Sequence, residues 1–178
     1  PVFGETAAAL AAERQDVALA VPVAETVAEE VTAWAAGLAP RPHLVTPEDG
    51  EGAKRAAAAA ADAALVASGT VALEMAAAGT PHVSTYRTSA LTAAIVRRLV
   101  RIDTAHIVNL VLGERLVPEF LQERCTAGEI APALAPLLGE GRERAAQVEG
   151  FDRALALLGR GGEPPSRDAA RAILDGLS

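Results

Sequence analysis

Aromatic side chains are scarce: 178 residues include one tryptophan, one tyrosine and three phenylalanines, 3% of the chain. The core must therefore be aliphatic. With 51% hydrophobic residues, many of them alanine, Ala-rich helices packed on Val/Leu/Ile strands meet that need. The single cysteine, Cys125, excludes an intrachain disulfide and a cysteine-based metal centre. It has no activating neighbour and reads as inert. The three histidines, His43, His82 and His106, are far apart and follow no metal-ligand spacing, so neither metal nor cofactor is expected. His82 reads as a packing residue, whereas Asp103 and His106, at i and i+3, could share a proton or simply a local hydrogen bond. No run reaches the roughly 18 uncharged apolar residues of a membrane-spanning helix. A net charge of −7 argues against nonspecific nucleic-acid binding. These absences leave a cytoplasmic location as the default expectation.

What is present is an alternation of short apolar runs with helical stretches. Val2–Gln15 reads as a helix and Val17–Val21 as a buried strand ended by Pro22. Ala24–Leu38 reads as a helix carrying Val23, Val27, Val31 and Trp34 on one face. Glu25, Glu29 and Glu30 fall outside that face and read as solvated. After the Pro40-Arg41-Pro42 turn come a strand at His43–Thr46, an acidic loop at Pro47–Gly52 and a helix at Ala53–Ala61. The pattern predicts an α/β fold: a Rossmann-like parallel sheet with helices on both faces. The opening helix has no strand before it, and Pro1 stands at its start; the expectation is a piece of a longer protein, with an inner strand supplied from upstream. Ser89–Ile102 reads as a helix with Arg97, Arg98 and Arg101 on one arc. That arc is either a patch for anionic headgroups or an ordinary surface whose arginines pair with carboxylates. Asp103–Cys125 is the least regular apolar part. Helices follow at Ala127–Leu138, Arg142–Leu158 and Ser166–Leu177, so residues 1–138 are read as a ligand-binding α/β domain and 139–178 as a helical segment. Gly159–Gly162 is a linker, lacking the Lys-Ser/Thr of a phosphate loop, and the terminal helix is suited to dock on a partner chain.

The centre of the chain is Ala63–Tyr86: strand (Ala63–Ala67), turn (Ser68-Gly69-Thr70), helix (Val71–Ala78) stopped at Gly79, and strand (His82–Thr85). A helix N-terminus just past the carboxyl end of a parallel strand is an anion site, because unpaired N–H groups and the helix dipole point there. Glu74, one turn in, suits the two hydroxyls of a ribose beside a phosphate, and Arg87 could clamp the phosphate or form a structural ion pair. Phosphate and sugar diol together suggest a nucleotide. Without a G-x-S-x-G motif, Ser68 is not a hydrolase nucleophile.

The stretch ASGTVALEMAAAGTPHVSTYRTSALT (Ala67–Thr92), followed by VNLVLGERLVPEFLQERCT (Val108–Thr126), resembles the lipid-A-disaccharide synthase family, GT-B glycosyltransferases of lipid A assembly. The run S-G-T-x-x-L-E, Y-R-x-S-x-L-T, N-L and P-E-x-x-Q carries the likeness. It spans essentially the whole chain as the carboxy-terminal half of such an enzyme. S-G-T…E alone would also fit peptidoglycan-precursor N-acetylglucosaminyltransferases. The resemblance implies transfer from UDP-2,3-diacylglucosamine to 2,3-diacylglucosamine 1-phosphate without a metal. It implies donor contacts from Ser68, Gly69 and Thr70 to the pyrophosphate, from Glu74 to the ribose, from Tyr86 and Arg87 in the cleft, and from Asn109, Glu119 and Gln122 near the sugar and diphosphate. The catalytic base and acceptor site belong to the family's amino-terminal domain. A G-S-R-x-S-E segment expected before Val2 is not in this chain, and Val108 stands where the family has proline. The chain alone is therefore expected to be inactive and to bind UDP weakly. Rival readings are another UDP-sugar enzyme of this fold, including an epimerase, and a non-catalytic helical docking domain.

Overall fold

The computed structural model describes residues 1–50, 52–67, 69–88, 104–162 and 165–176. The alternation is present: α1 (Val2–Glu13), β1 (Ala20–Pro22), α2 (Ala28–Ala36), β2 (His43–Val45), α3 (Ala53–Ala60), β3 (Ala64–Ala67), α4 (Thr70–Ala78) and β4 (His82–Tyr86). Beyond residues 89–103 come α5 (Ile107–Leu112), β5 (Glu119–Leu121), α6 (Ala127–Leu134), α7 (Arg142–Leu157) and α8 (Pro165–Gly176). The Ser89–Ile102 helix and its three arginines lie outside the described residues.

Every described ladder is parallel, as the α/β reading requires. The pairing falls into two groups: β1 with β2, and β3-β4-β5 with β4 in the middle. β1 begins later than the sequence suggests. Pro22, read as its stop, is its last paired residue, opposite Val45. Proline is tolerated there because, among the described residues, β1 has no second neighbour to receive an N–H. β5 lies within the stretch that reads as irregular. Only Phe120 is buried, between half-buried Glu119 and exposed Leu121, too short an alternation to signal a strand. Pairing of Ser84, Thr85 and Tyr86 with residues 119–121 makes it one.

β4 shows why helices cover both faces of its sheet. Val83 joins Leu10 of α1, Phe120 of β5, and Ile130 and Leu134 of α6 in one cluster. His82, on the opposite face, stacks on Phe151 of α7, with ring centroids 5.0 Å apart. Phe151 and Ala154 pack with Ala76 of α4 and Val108 of α5. The 138/139 boundary drawn from the sequence falls in the turn between Leu138 and Arg142; α7, beyond it, supplies this second cluster. At Gly150 a Cβ would collide with the Leu116 side chain, so α7 approaches that loop only because no side chain stands there.

The amino end of β4 is closed by polar groups as well. Gln147 of α7 accepts from the His82 N–H at 2.8 Å and donates to its carbonyl at 3.1 Å, doing the work of a neighbouring strand before β5 begins. His82 Nε2 lies 3.0 Å from His106 Nε2, and His82 Nδ1 3.0 Å from the Thr80 carbonyl. Burial pushes both imidazoles down from 6.5 to about 4. His82 is thus a packing residue, as expected, and it is the described partner of His106; Asp103 lies outside the described residues.

Candidate functional site

β3 and β4 end side by side, with Ala67 paired to Thr85. The chain then turns at Gly69 with φ 145° and ψ −158°, a conformation open essentially to glycine alone. A Cβ there would meet nothing within 4 Å, so it is the backbone angle, not space, that requires glycine. Gly69 is the N-cap of α4, and no side chain caps that helix end. Thr70 supplies no such bond, and Ser68 lies outside the described residues. Gly69, Thr70 and, one turn on, Glu74 are exposed. At the other end of α4, Gly79 is left-handed, as expected of a C′ glycine.

An open crevice of about 680 Å³ runs along the carboxyl ends of the same two strands. Ala67, Thr85, Tyr86 and Arg87 form its floor. Phe3, at the start of α1, and Val27, Glu30, Val31 and Trp34 line it as well. The sequence pattern puts Val23, Val27, Val31 and Trp34 on one apolar face. Val23 is buried, but Val27 is 42% exposed and the arc fronts the crevice. The signal for these residues was therefore present, though it reads as core. Tyr86 is 47% exposed, and among the described residues neither Arg87 nor Glu74 makes an ion pair. Flat apolar surfaces with one guanidinium and an open helix N-terminus close by can take a planar ring and an anion.

The remaining expected residues, Asn109, Glu119 and Gln122, do not line the crevice. Asn109 is 1% exposed and its amide is engaged by the chain: Oδ1 accepts from the Leu116 and Val117 N–H groups at 3.0 and 2.8 Å, and Nδ2 donates to the Val117 carbonyl at 2.9 Å. Glu119 accepts from the Ala105 N–H at 3.1 Å and from the Thr104 hydroxyl. Gln122 faces the Thr88 peptide. Thr104, which the sequence does not single out, links Glu119 to Asn109, because its Oγ1 also accepts from Asn109 Nδ2 at 3.3 Å. Among the described residues no three His, Cys, Asp or Glu side chains gather as a metal site, and no helix is long and apolar enough to cross a membrane. Cys125 is buried and unpaired, in keeping with an inert thiol.

The family model for Lipid-A-disaccharide synthetase matches residues 1–171. Among curated proteins, the lipid-A-disaccharide synthases of Ruegeria pomeroyi, Rhodospirillum centenum and Nitrobacter winogradskyi are 44%, 42% and 38% identical to the chain. These matches cover 99%, 98% and 99% of the chain but 45%, 43% and 44% of the relatives, so it spans a little under half of their length.

Proposed function

The chain belongs to the lipid-A-disaccharide synthetase family, a family of glycosyltransferases, and we propose that it is the donor-binding half of such an enzyme. The reaction joins UDP-2,3-diacylglucosamine to 2,3-diacylglucosamine 1-phosphate. The bond from the donor's anomeric carbon to the diphosphate breaks, a bond to an acceptor hydroxyl oxygen forms, and negative charge collects on the departing UDP. A site serving that step needs fixed positive ends near the diphosphate more than it needs a nucleophile. The observation that carries the reading is the uncapped α4 N-terminus at Gly69, exposed at the carboxyl end of β3, with Arg87 unpaired among the described residues at the end of β4. In this reading Ser68, Gly69 and Thr70 hold the pyrophosphate, Glu74 takes the ribose hydroxyls, and Tyr86 and Arg87 line the donor cleft. No metal takes part. The base that accepts the acceptor's proton, and the lipid acceptor site, belong to the part of the enzyme outside this chain. In this reading the lipid substrates bring the enzyme to the cytoplasmic face of the inner membrane, with Arg97, Arg98 and Arg101 as its candidate contacts to anionic headgroups. A homodimer contact falls to α8, whose Ile173 is exposed.

UDP titration against the full-length protein tests the donor assignment. Arg87→Ala is expected to weaken UDP roughly ten- to a hundredfold, the loss of one charge-assisted contact. Glu74→Ala is expected to weaken UDP and uridine alike. Unchanged UDP affinity in both variants would reject the site and favour a docking domain. The chain by itself is expected to make no disaccharide.

A further inference from the structure

Two residues of the P-E-x-x-Q motif are assigned to the ligand by resemblance, yet their side chains are bonded to the protein. Oriented to match both groups, the Gln122 amide donates to the Thr88 carbonyl at 3.1 Å and accepts from the Thr88 N–H at 3.3 Å. Thr88 lies two residues past the end of β4, where the β5 backbone has turned away. Gln122 has φ 51°, the one non-glycine residue with positive φ among those described. Its side chain thus continues the ladder that its main chain has left. Glu119, at the start of β5, takes the Ala105 N–H and the Thr104 hydroxyl. Thr104 Oγ1 in turn accepts from the His106 N–H and from Asn109 Nδ2, both at 3.3 Å. A hydroxyl with one proton and two lone pairs is fully used by this set.

Residues 88 and 104 bracket the stretch 89–103. We propose that Glu119 and Gln122 are positioning residues that moor the two ends of this stretch to the two ends of β5, and that neither touches the donor. Three consequences follow. The path of the chain on either side of 89–103 is set by β5 whatever the intervening residues do. The Thr88 peptide, once held, fixes the direction in which its neighbour Arg87 leaves β4, so the mooring acts on anion binding through Arg87. Finally, the positive φ at position 122 is what brings that side chain to Thr88, which gives the unusual backbone a purpose. The mooring itself follows from the contacts alone; its effect on donor binding rests on the donor reading above.

The test uses the full-length protein with Gln122→Ala, Gln122→Gly, Glu119→Ala and Glu119→Gln. Amide hydrogen exchange is followed first, without ligand, with the Val83 amide of β4 as the control for an intact fold. Gln122→Ala and Gln122→Gly are expected to speed exchange at Thr88 roughly tenfold, as when a modest pair of hydrogen bonds is lost, and to leave Ala105 unchanged. Glu119→Ala is expected to do the reverse, and Glu119→Gln, which keeps an acceptor, to restore protection at Ala105. Donor KM is expected to rise in Gln122→Ala and Gln122→Gly while kcat moves less than about twofold. Gln122→Gly relieves the backbone and should melt no lower than wild type, which separates loss of the mooring from loss of stability. A raised KM with unchanged exchange at Thr88 and Ala105 would mean direct ligand contact and would overturn the proposal. Faster exchange with KM unmoved would overturn the positioning role. If wild type binds no UDP, the donor reading fails while the exchange arm still decides the mooring.

Discussion

The two ends of β4 are each met by a glutamine that bonds to both groups of one residue's main chain, and there the likeness stops. At the amino end Gln147 projects from a regular helix, 3% exposed, onto a strand residue that Phe151 also covers. At the carboxyl end Gln122 reaches Thr88 from a residue with positive φ, half-buried, beside exposed Tyr86 and Arg87. Similar hydrogen bonds thus serve different ends. Under a helix, where water cannot replace them, they hold the fold together; at the rim of a crevice they hold a direction. Low local stability is the usual condition of a binding edge, and high stability is what the opposite end must then supply.

The contrast can be broken most strongly from the amino end. Phe151→Ala removes a 1%-exposed ring from the second cluster and from its stack on His82, and should cost about 3–5 kcal/mol in chemical denaturation. Gln147→Ala leaves a buried N–H and carbonyl without partners and should cost about 2–4 kcal/mol, against less than about 1 kcal/mol for Gln122→Ala, whose partner peptide can turn to water. Equal losses for the two glutamines would erase the distinction. Acid sharpens it. His82 and His106 bind protons less readily folded than unfolded, so the unfolded chain takes up more protons between about pH 6.5 and about 4. Stability from this pair is therefore complete above that window and falls as pH is lowered through it. A denaturation midpoint flat across the window would contradict the buried, neutral pair. The smallest effect is expected at the surface, where Arg153→Ala removes a 2.6 Å pair with Glu114 between side chains about half exposed. It should change stability by less than about 1 kcal/mol.

Much of this could be read from residues alone. The strand–turn–helix of Ala63–Ala78, the stop at Gly79 and the parallel pairing follow from apolar runs punctuated by glycine and proline, which are local signals. β5 was not legible, because one buried phenylalanine in three residues has no period and its strand character comes from β4. The stripe Val27, Val31, Trp34 was legible as an apolar face, but not as the lining of a crevice, since spacing cannot say whether anything covers it. Asn109, Glu119 and Gln122 stand out as polar residues in an apolar stretch, but a role near the ligand comes to them only through family likeness. Their bonds to Val117, Thr104 and Thr88 join residues 8, 15 and 34 apart in the sequence, which no local pattern announces.

The histidine pair carries one more consequence. A carbonyl can only accept, so the Nδ1 that faces Thr80 must bear the hydrogen of His82. A neutral ring holds only one, which leaves its Nε2 bare, and His106 must then carry its own hydrogen on Nε2 to fill the 3.0 Å gap. The two rings are thus locked as opposite tautomers, and Nδ1 of His106 is left with a lone pair and no described partner. Nitrogen NMR should show both forms side by side, with His106 Nδ1 the first atom to respond when acid begins to loosen the domain.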